Sequence, residues 1–127
     1  MILLDTDVIV DLWRKLPQAI GWLSSISDED ILLPGYVVME LVQGCQSKAQ
    51  LQMIEQQLLS ATVVWPTPET CDEALSTYAR LRFSHGVGML DALVGHLAVA
   101  LDTPLHTFNQ KHYAAIPGLN TIQPYQR

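Results

Sequence analysis

Asp5 and Asp7 stand one residue apart where the apolar opening MILLDTDVIVDLW changes character; Glu40 lies inside YVVMELVQG, Asp91 inside GMLDALVGHLAVA, and Asn109 just after LHTF. Singly, each acid has an ordinary structural reading. Asp91 in a first helical turn complements the helix dipole, an effect of about 0.3–1 kcal/mol. Glu40, on a helix flank with Tyr36, Gln43 and Ser47, reads as solvated. Asp7 reads as a first-turn acid with Thr6 or Asp5 as cap, and Asp11, one turn on, as a surface residue. Convergence changes the chemistry. Three carboxylates brought together from Asp5, Glu40 and Asp91 repel unless a cation lies between them, and oxygen-only ligation is what Mg²⁺ or Mn²⁺ takes. Such a site clamps a phosphodiester, lowers the pKa of a bound water and stabilises the leaving oxygen without a Ser or Cys nucleophile.

The elements around these residues are legible from pattern. ILLD at 2–5 is a short apolar strand running into helical spacing, and Pro17 opens a helix carrying Ile20, Trp22, Leu23 and Ile26. ILLP at 31–34 reads as a second strand, followed by a helix closed by Gly44. Ser47 is a candidate N-cap for a helix with a stripe of Leu51, Ile54, Leu58 and Leu59; ATVVW at 61–65 reads as a β-branched third strand. Thr67 and Pro68 open a long helix ending at Gly86 as its C′ residue. MLDALVGHLAVAL is helical and apolar nearly all round, so it is expected to be buried, with Gly88 and Gly95 leaving room near Asp91 for a backbone or an ion. PLHTF is a fourth strand, NQKHYAAI a short helix and LNTIQP a last edge strand. Short apolar strands alternating with helices predict a mostly parallel five-stranded sheet between helical layers, with ligands beyond the carboxyl ends of the strands. Asp5 and the Thr107–Asn109 segment both fall on that edge.

With 127 residues, 49% hydrophobic, there is material for one core, so a single domain over 1–127 is expected. The formal charge of −6 excludes a broad basic surface for nucleic acid but not an acidic site whose cations meet phosphate. Cys45 and Cys71 have no metal-ligand spacing and read as reduced core thiols. His85, His96, His106 and His112 fit no zinc pattern, and His96 reads as a satisfied core histidine. Trp13, Trp22 and Trp65 occupy core-like positions that could otherwise face a partner. No apolar run approaches the roughly 18–20 residues that cross a bilayer, and a cytoplasmic protein is expected.

LLDTDVIV, PGYVVMELVQG, GMLDALVGHLAVA and LHTFNQKHYAAIPGL, in that order across essentially the whole chain, resemble the PIN domain, and specifically the short VapC-type ribonuclease toxins. The resemblance implies a PIN-like three-layer α/β/α fold, single-strand-selective RNA cleavage, homodimers, and inhibition by a small antitoxin inserting a segment at or near the site. It makes Asp5, Glu40 and Asp91 the metal ligands, with Mg²⁺ or Mn²⁺ as cofactor. Thr6 takes the family's small hydroxyl position, and Thr107 matches its final Ser/Thr, holding the site together behind the ligands with Asp7. Asn109 stands where the family often has a fourth Asp; the amide keeps an oxygen and loses a charge, which bears on a second metal. Lys111 and Arg82 are open between phosphate contacts and solvated surface. Two other readings compete. DTDVI after a first strand also fits a haloacid-dehalogenase-like phosphatase, with Asp5 as nucleophile and Asp7 as acid/base, and a non-catalytic PIN-like module would bind RNA or protein without cutting.

Overall fold

The structure is a computed structural model describing all 127 residues. In chain order its elements are β1 (Ile2–Leu4), α1 (Thr6–Trp13), α2 (Pro17–Ser25), β2 (Ile31–Pro34), α3 (Gly35–Gln43), α4 (Lys48–Gln57), β3 (Thr62–Val64), α5 (Pro68–His85), α6 (Met89–Ala100), β4 (Leu105–His106), α7 (Gln110–Tyr113) and β5 (Thr121–Ile122). Five strands form one sheet in the order β3-β2-β1-β4-β5, and every pairing is parallel. The helices cover it in a three-layer α/β/α arrangement, as the alternation of strands and helices predicts.

Burial on both faces explains why β1 is uninterruptedly apolar: Leu3 and Leu4 are fully buried, and they anchor a core with Val8, Leu33, Val37, Val94 and Leu105. Truncating a leucine such as Leu33 at the centre of this cluster would cost about 2–5 kcal/mol. The strand order reverses between β1 and β4. β2 and β3 are added on one side of β1, β4 and β5 on the other, and a crevice opens beyond the carboxyl ends of β1 and β4 at that reversal.

The local stop and start signals account for most boundaries. Thr67 caps α5 by accepting from the Thr70 N–H, and Gly86 ends that helix in the left-handed region at φ 65°. Ser47 caps α4 by accepting from the Gln50 N–H. α6 is buried along Ala92, Val94, Gly95, His96, Leu97 and Ala98, as its all-round apolar pattern requires.

Several expectations need correction. Leu59 is 81% exposed, because α4 ends at Gln57 and the residue lies beyond the stripe, in the turn before β3. Trp65 is not a core residue: it follows edge strand β3 and is 54% exposed, with its ring laid over Gly35, where a Cβ would collide. The room beside Gly95 is filled by Ile116 and Leu119 side chains, so that glycine serves helix packing and not an ion. Cys45 and Cys71 are free thiols as expected, but only half-buried, with Cys45 packed against the edge of the core. Asp11 is not a free surface acid; it accepts from Tyr125 Oη at 2.8 Å and from Arg127 Nε at 2.9 Å, tying the C-terminus onto α1.

Candidate functional site

Each acid reaches the crevice through a different element. β1 delivers Asp5 one residue past its end, where the carboxylate caps α1 by accepting from the Thr6 N–H at 2.8 Å. α3 leaves the neighbouring β2 directly and presents Glu40, whose Oε1 accepts from Thr6 Oγ1 at 3.2 Å. α6 follows its N-cap Gly88 and presents Asp91 in its first turn, where Oδ2 accepts from the Gly88 N–H at 3.1 Å. A Cβ on residue 88 would stand 3.1 Å from that oxygen, so glycine lets the turn close on the carboxylate. β4 delivers Thr107, and Asn109 follows it at the start of α7.

Asp5, Thr6, Asp7, Glu40, Asp91 and Asn109 line one cavity of about 410 Å³. The remaining wall is Gly88, Met89, Leu90, His112 and Tyr113. Thr107 lies behind it, wholly buried: its hydroxyl donates to Asp5 Oδ2 at 2.8 Å, lies 3.4 Å from Asp7 Oδ2, and accepts from the Asn109 N–H at 3.0 Å. One threonine thus ties the β1 end to the β4 end. Tyr113 adds a second donor from the same side, Oη to Asp5 Oδ2 at 3.0 Å.

The two aspartates of the opening motif are unequal. Asp7 accepts from the Val8 N–H at 2.8 Å on one oxygen and from the Phe108 N–H at 2.9 Å on the other, which fixes the β4–α7 turn against α1. Bonded to a backbone N–H on each oxygen, it acts as a clamp between α1 and the β4–α7 turn, a role the phosphatase reading does not give it. Burial, and then the Asp5 charge, push its carboxyl above the ordinary range, with the Phe108 and Val8 N–H groups pulling the other way. By contrast, Glu40 Oε2 and Asp91 Oδ1 take no hydrogen bond, and Asp5 Oδ1 takes only the Thr6 N–H, so all three keep acceptor capacity.

Glu40 is half-buried, contrary to its reading as a solvated helix residue. Its carboxyl is raised mainly by burial, opposed by the Thr6 hydroxyl and reinforced by Asp5, Asp91 and Asp7. Burial is the first cause and the neighbouring acids add to it, so a positive charge entering the cavity would favour the ionised Glu40. No three acidic, histidine or cysteine side chains are drawn together into a ready-made ligand cluster. The lining carboxylates, with spare oxygen acceptors and no sulfur or nitrogen ligand set, are of the chemical type that a hard divalent cation takes, with water completing its shell.

The sequence reasoning missed Tyr113 and His112. Tyr113 lies four residues after Asn109, one turn along, but nothing local in the sequence marks its contact with Asp5 across 108 positions. Lys111 and Arg82 are not among the cavity's lining residues; the Arg82 guanidinium lies 5.1 Å from the Phe83 ring centroid. His96 is buried with Nε2 2.7 Å from Thr77 Oγ1, while its Nδ1 has no hydrogen bond, so it is a core histidine that is only half satisfied.

A family model described as the PIN domain matches residues 2–117. No curated protein matches the sequence. Among solved structures, a toxin-antitoxin complex from Klebsiella pneumoniae aligns with TM-score 0.76 at 21% identity, covering 100% of both chains. DNA-bound VapBC from Salmonella typhimurium aligns with TM-score 0.80 at 21% identity over 96% of this chain and 98% of that one. FitAcB from Neisseria gonorrhoeae gives 0.72 at 20% identity over 98% of each. At these identities the structural likeness establishes the fold, and it agrees with the family model. On a match spanning nearly the whole sequence, the chain belongs to the PIN domain family.

Proposed function

We propose that this protein is a VapC-type toxin: a metal-dependent endoribonuclease that cuts single-stranded RNA and is held in check by a small antitoxin. The observation that carries the reading is the trio of Asp5, Glu40 and Asp91, which line one cavity at the sheet's reversal point and each keep a free acceptor. The solved structures similar in fold, described as toxin-antitoxin, VapBC and FitAB complexes, support the antitoxin. Residues 1–127 form one functional domain in this reading, working in the cytoplasm as a homodimer. No helix is long and apolar enough to cross a membrane.

The chain's own groups divide the work. Asp5, Glu40 and Asp91 would surround Mg²⁺ or Mn²⁺, one or two of them ligating it directly and the rest reaching it through water, and the bound ion would supply charge to neutralise the phosphodiester and acidify a water for attack. Thr107 and Tyr113 hold the Asp5 carboxylate, and Thr6 holds that of Glu40. Asn109 contributes a neutral polar wall where an acid would add charge, so one resident cation is the expected load. Asp7 keeps the β1 and β4 ends in register and takes no proton from the substrate.

Besides the insertion at or near the acidic site that the family resemblance implies, a second hollow offers the antitoxin a docking surface. It measures about 600 Å³ and is lined by ten hydrophobic residues among thirteen, including Leu4, Ile9, Leu12, Trp13, Ile20 and Leu23. An apolar antitoxin segment seated there fits the helix-in-groove mode of recognition. The test of the enzymatic reading is direct. Purified protein given Mg²⁺ or Mn²⁺ should cut single-stranded RNA, chelator should stop it, and Asp5→Asn should be inactive while folded. Binding of RNA without cleavage under either metal would favour the non-catalytic module.

A further inference from the structure

Asp5 is held by more donors than a capping aspartate needs. Oδ2 accepts from Thr107 Oγ1 at 2.8 Å and from Tyr113 Oη at 3.0 Å, while Oδ1 accepts the Thr6 N–H at 2.8 Å. A carboxylate oxygen has two lone-pair directions, so Oδ2 is saturated and Oδ1 retains one. Asp5 is 6% exposed and Tyr113 is 4% exposed, yet both line the acidic cavity. The phenol is thus a buried donor standing between one Asp5 oxygen and anything that enters. It comes from α7 and crosses 108 positions of sequence to reach an acid at the opposite end of the chain.

We propose that Tyr113 is a positioning residue that restricts Asp5 to single-oxygen ligation through Oδ1, and thereby sets which divalent cation the site prefers. The proposal rests on the metal-dependent reading above. With Oδ2 closed, Asp5 offers one fixed oxygen, which suits the compact octahedron of Mg²⁺ or Mn²⁺. With Oδ2 opened, both oxygens can grip one ion, the bidentate habit that larger and geometrically tolerant Ca²⁺ accepts and Mg²⁺ does not. Thr107 cannot close Oδ2 alone, because its one proton fills a single lone pair. Removing the phenol oxygen also frees the carboxylate to rotate about its remaining partners, and partners of this kind behind a metal ligand typically govern about 10–100-fold in affinity.

Tyr113→Phe keeps the ring and deletes only the donor. Titration calorimetry on metal-free protein, with Mn²⁺ alone and with Ca²⁺ alone, gives both affinities without any catalytic step. The expected result is a Mn²⁺ affinity weakened about tenfold and a Mn²⁺/Ca²⁺ affinity ratio lowered by a similar factor, with an unchanged far-ultraviolet dichroism spectrum. Tyr113→Met, which also lacks the hydroxyl, should shift the ratio the same way even if it packs less well. A merely structural Tyr113 would weaken both ions alike, and a ratio equal to wild type in the folded variants overturns the proposal while leaving the nuclease reading intact. Wild-type protein that takes up neither ion overturns the metal reading, and the role of Tyr113 with it.

Discussion

Leu4 and Asp5 are consecutive, yet one lines the apolar hollow and the other the acidic cavity. The same division runs into α1, where Thr6 and Asp7 face the acids and Ile9, Leu12 and Trp13 face the hollow. Alternation in a strand and the 3.6-residue turn of a helix send neighbouring side chains in different directions, so one strand-to-helix junction serves two surfaces of opposite chemistry. The apolar hollow is the larger, about 600 against 410 Å³, but among its lining residues only Lys15 carries a charge. Volume therefore does not locate the chemistry here; the side chains with spare acceptors do. The two cavities should fail independently, one by losing catalysis and the other by losing restraint.

The largest separation should come from the acids. Loss of a partner behind a metal ligand costs about 10–100-fold, so Asp91→Asn, which takes the charge from a ligand itself, should lower RNA cleavage by about 100-fold. Antitoxin affinity through the apolar hollow should be unchanged. Asp7→Asn serves as the contrast: it weakens a clamp on the Phe108 N–H, so it should show mainly as lost stability with cleavage partly retained. Equal loss of cleavage from the Asp5 and Asp7 variants would return the phosphatase reading to contention. From the other side, Leu23→Glu places a charge in the apolar hollow. Central interface residues are worth about 2 kcal/mol or more, roughly 30-fold in affinity, so antitoxin binding by calorimetry should fall by at least that much with cleavage unaltered. Cleavage lost together with antitoxin binding would show that the two cavities are one functional surface.

A smaller effect should appear at the wall between the two ends of the sheet. Thr107→Val removes a buried hydroxyl that serves Asp5 and the Asn109 N–H, and unsatisfied buried groups cost about 1–3 kcal/mol. Denaturant unfolding should register that loss, and cleavage should drop because Asp5 keeps only Tyr113 on Oδ2.

The sequence carried the sheet and the acids better than the details around them. Parallel strands buried on both faces have to be apolar runs, so β1 and β2 announce themselves, and acids placed directly after them mark the carboxyl edge. The boundaries of β4 and β5 did not: two paired residues each are too few to impose a pattern, and PLHTF is longer than the strand it contains. Glu40 was ambiguous because its hydrogen-bond partner is a hydroxyl 34 positions earlier, and Asp11 because its partners are at the other end of the chain. Tyr113 escaped for the same reason. A tyrosine in a short helix carries no local mark that its oxygen meets Asp5, since that contact depends on β4 lying beside β1. The family resemblance supplied the convergence of the acids and the hydroxyls of Thr6 and Thr107 beside them; it did not supply Tyr113.

The finest difference between the cavities is their response to pH. Glu40 is raised in the folded protein, chiefly by burial and then by neighbouring acids against the Thr6 bond, so the unfolded chain ionises it at lower pH than the native one. Below the unfolded value both states are protonated and no penalty exists. As pH rises through the folded value, the native state must ionise a carboxyl it holds unfavourably, and stability falls relative to acid conditions. Metal-free protein should therefore gain from Glu40→Gln at neutral pH and gain nothing near pH 4, as read from thermal midpoints across that range. Added Mg²⁺ should reverse the gain, because the cation favours the ionised glutamate that the variant lacks. Leu23→Ala in the apolar hollow changes packing and no charge, so its cost should be the same at every pH. If the Glu40→Gln gain were equally flat, the repulsion among Asp5, Glu40 and Asp91 would be too weak to call for a cation, and the acidic cavity would differ from the apolar one in polarity alone.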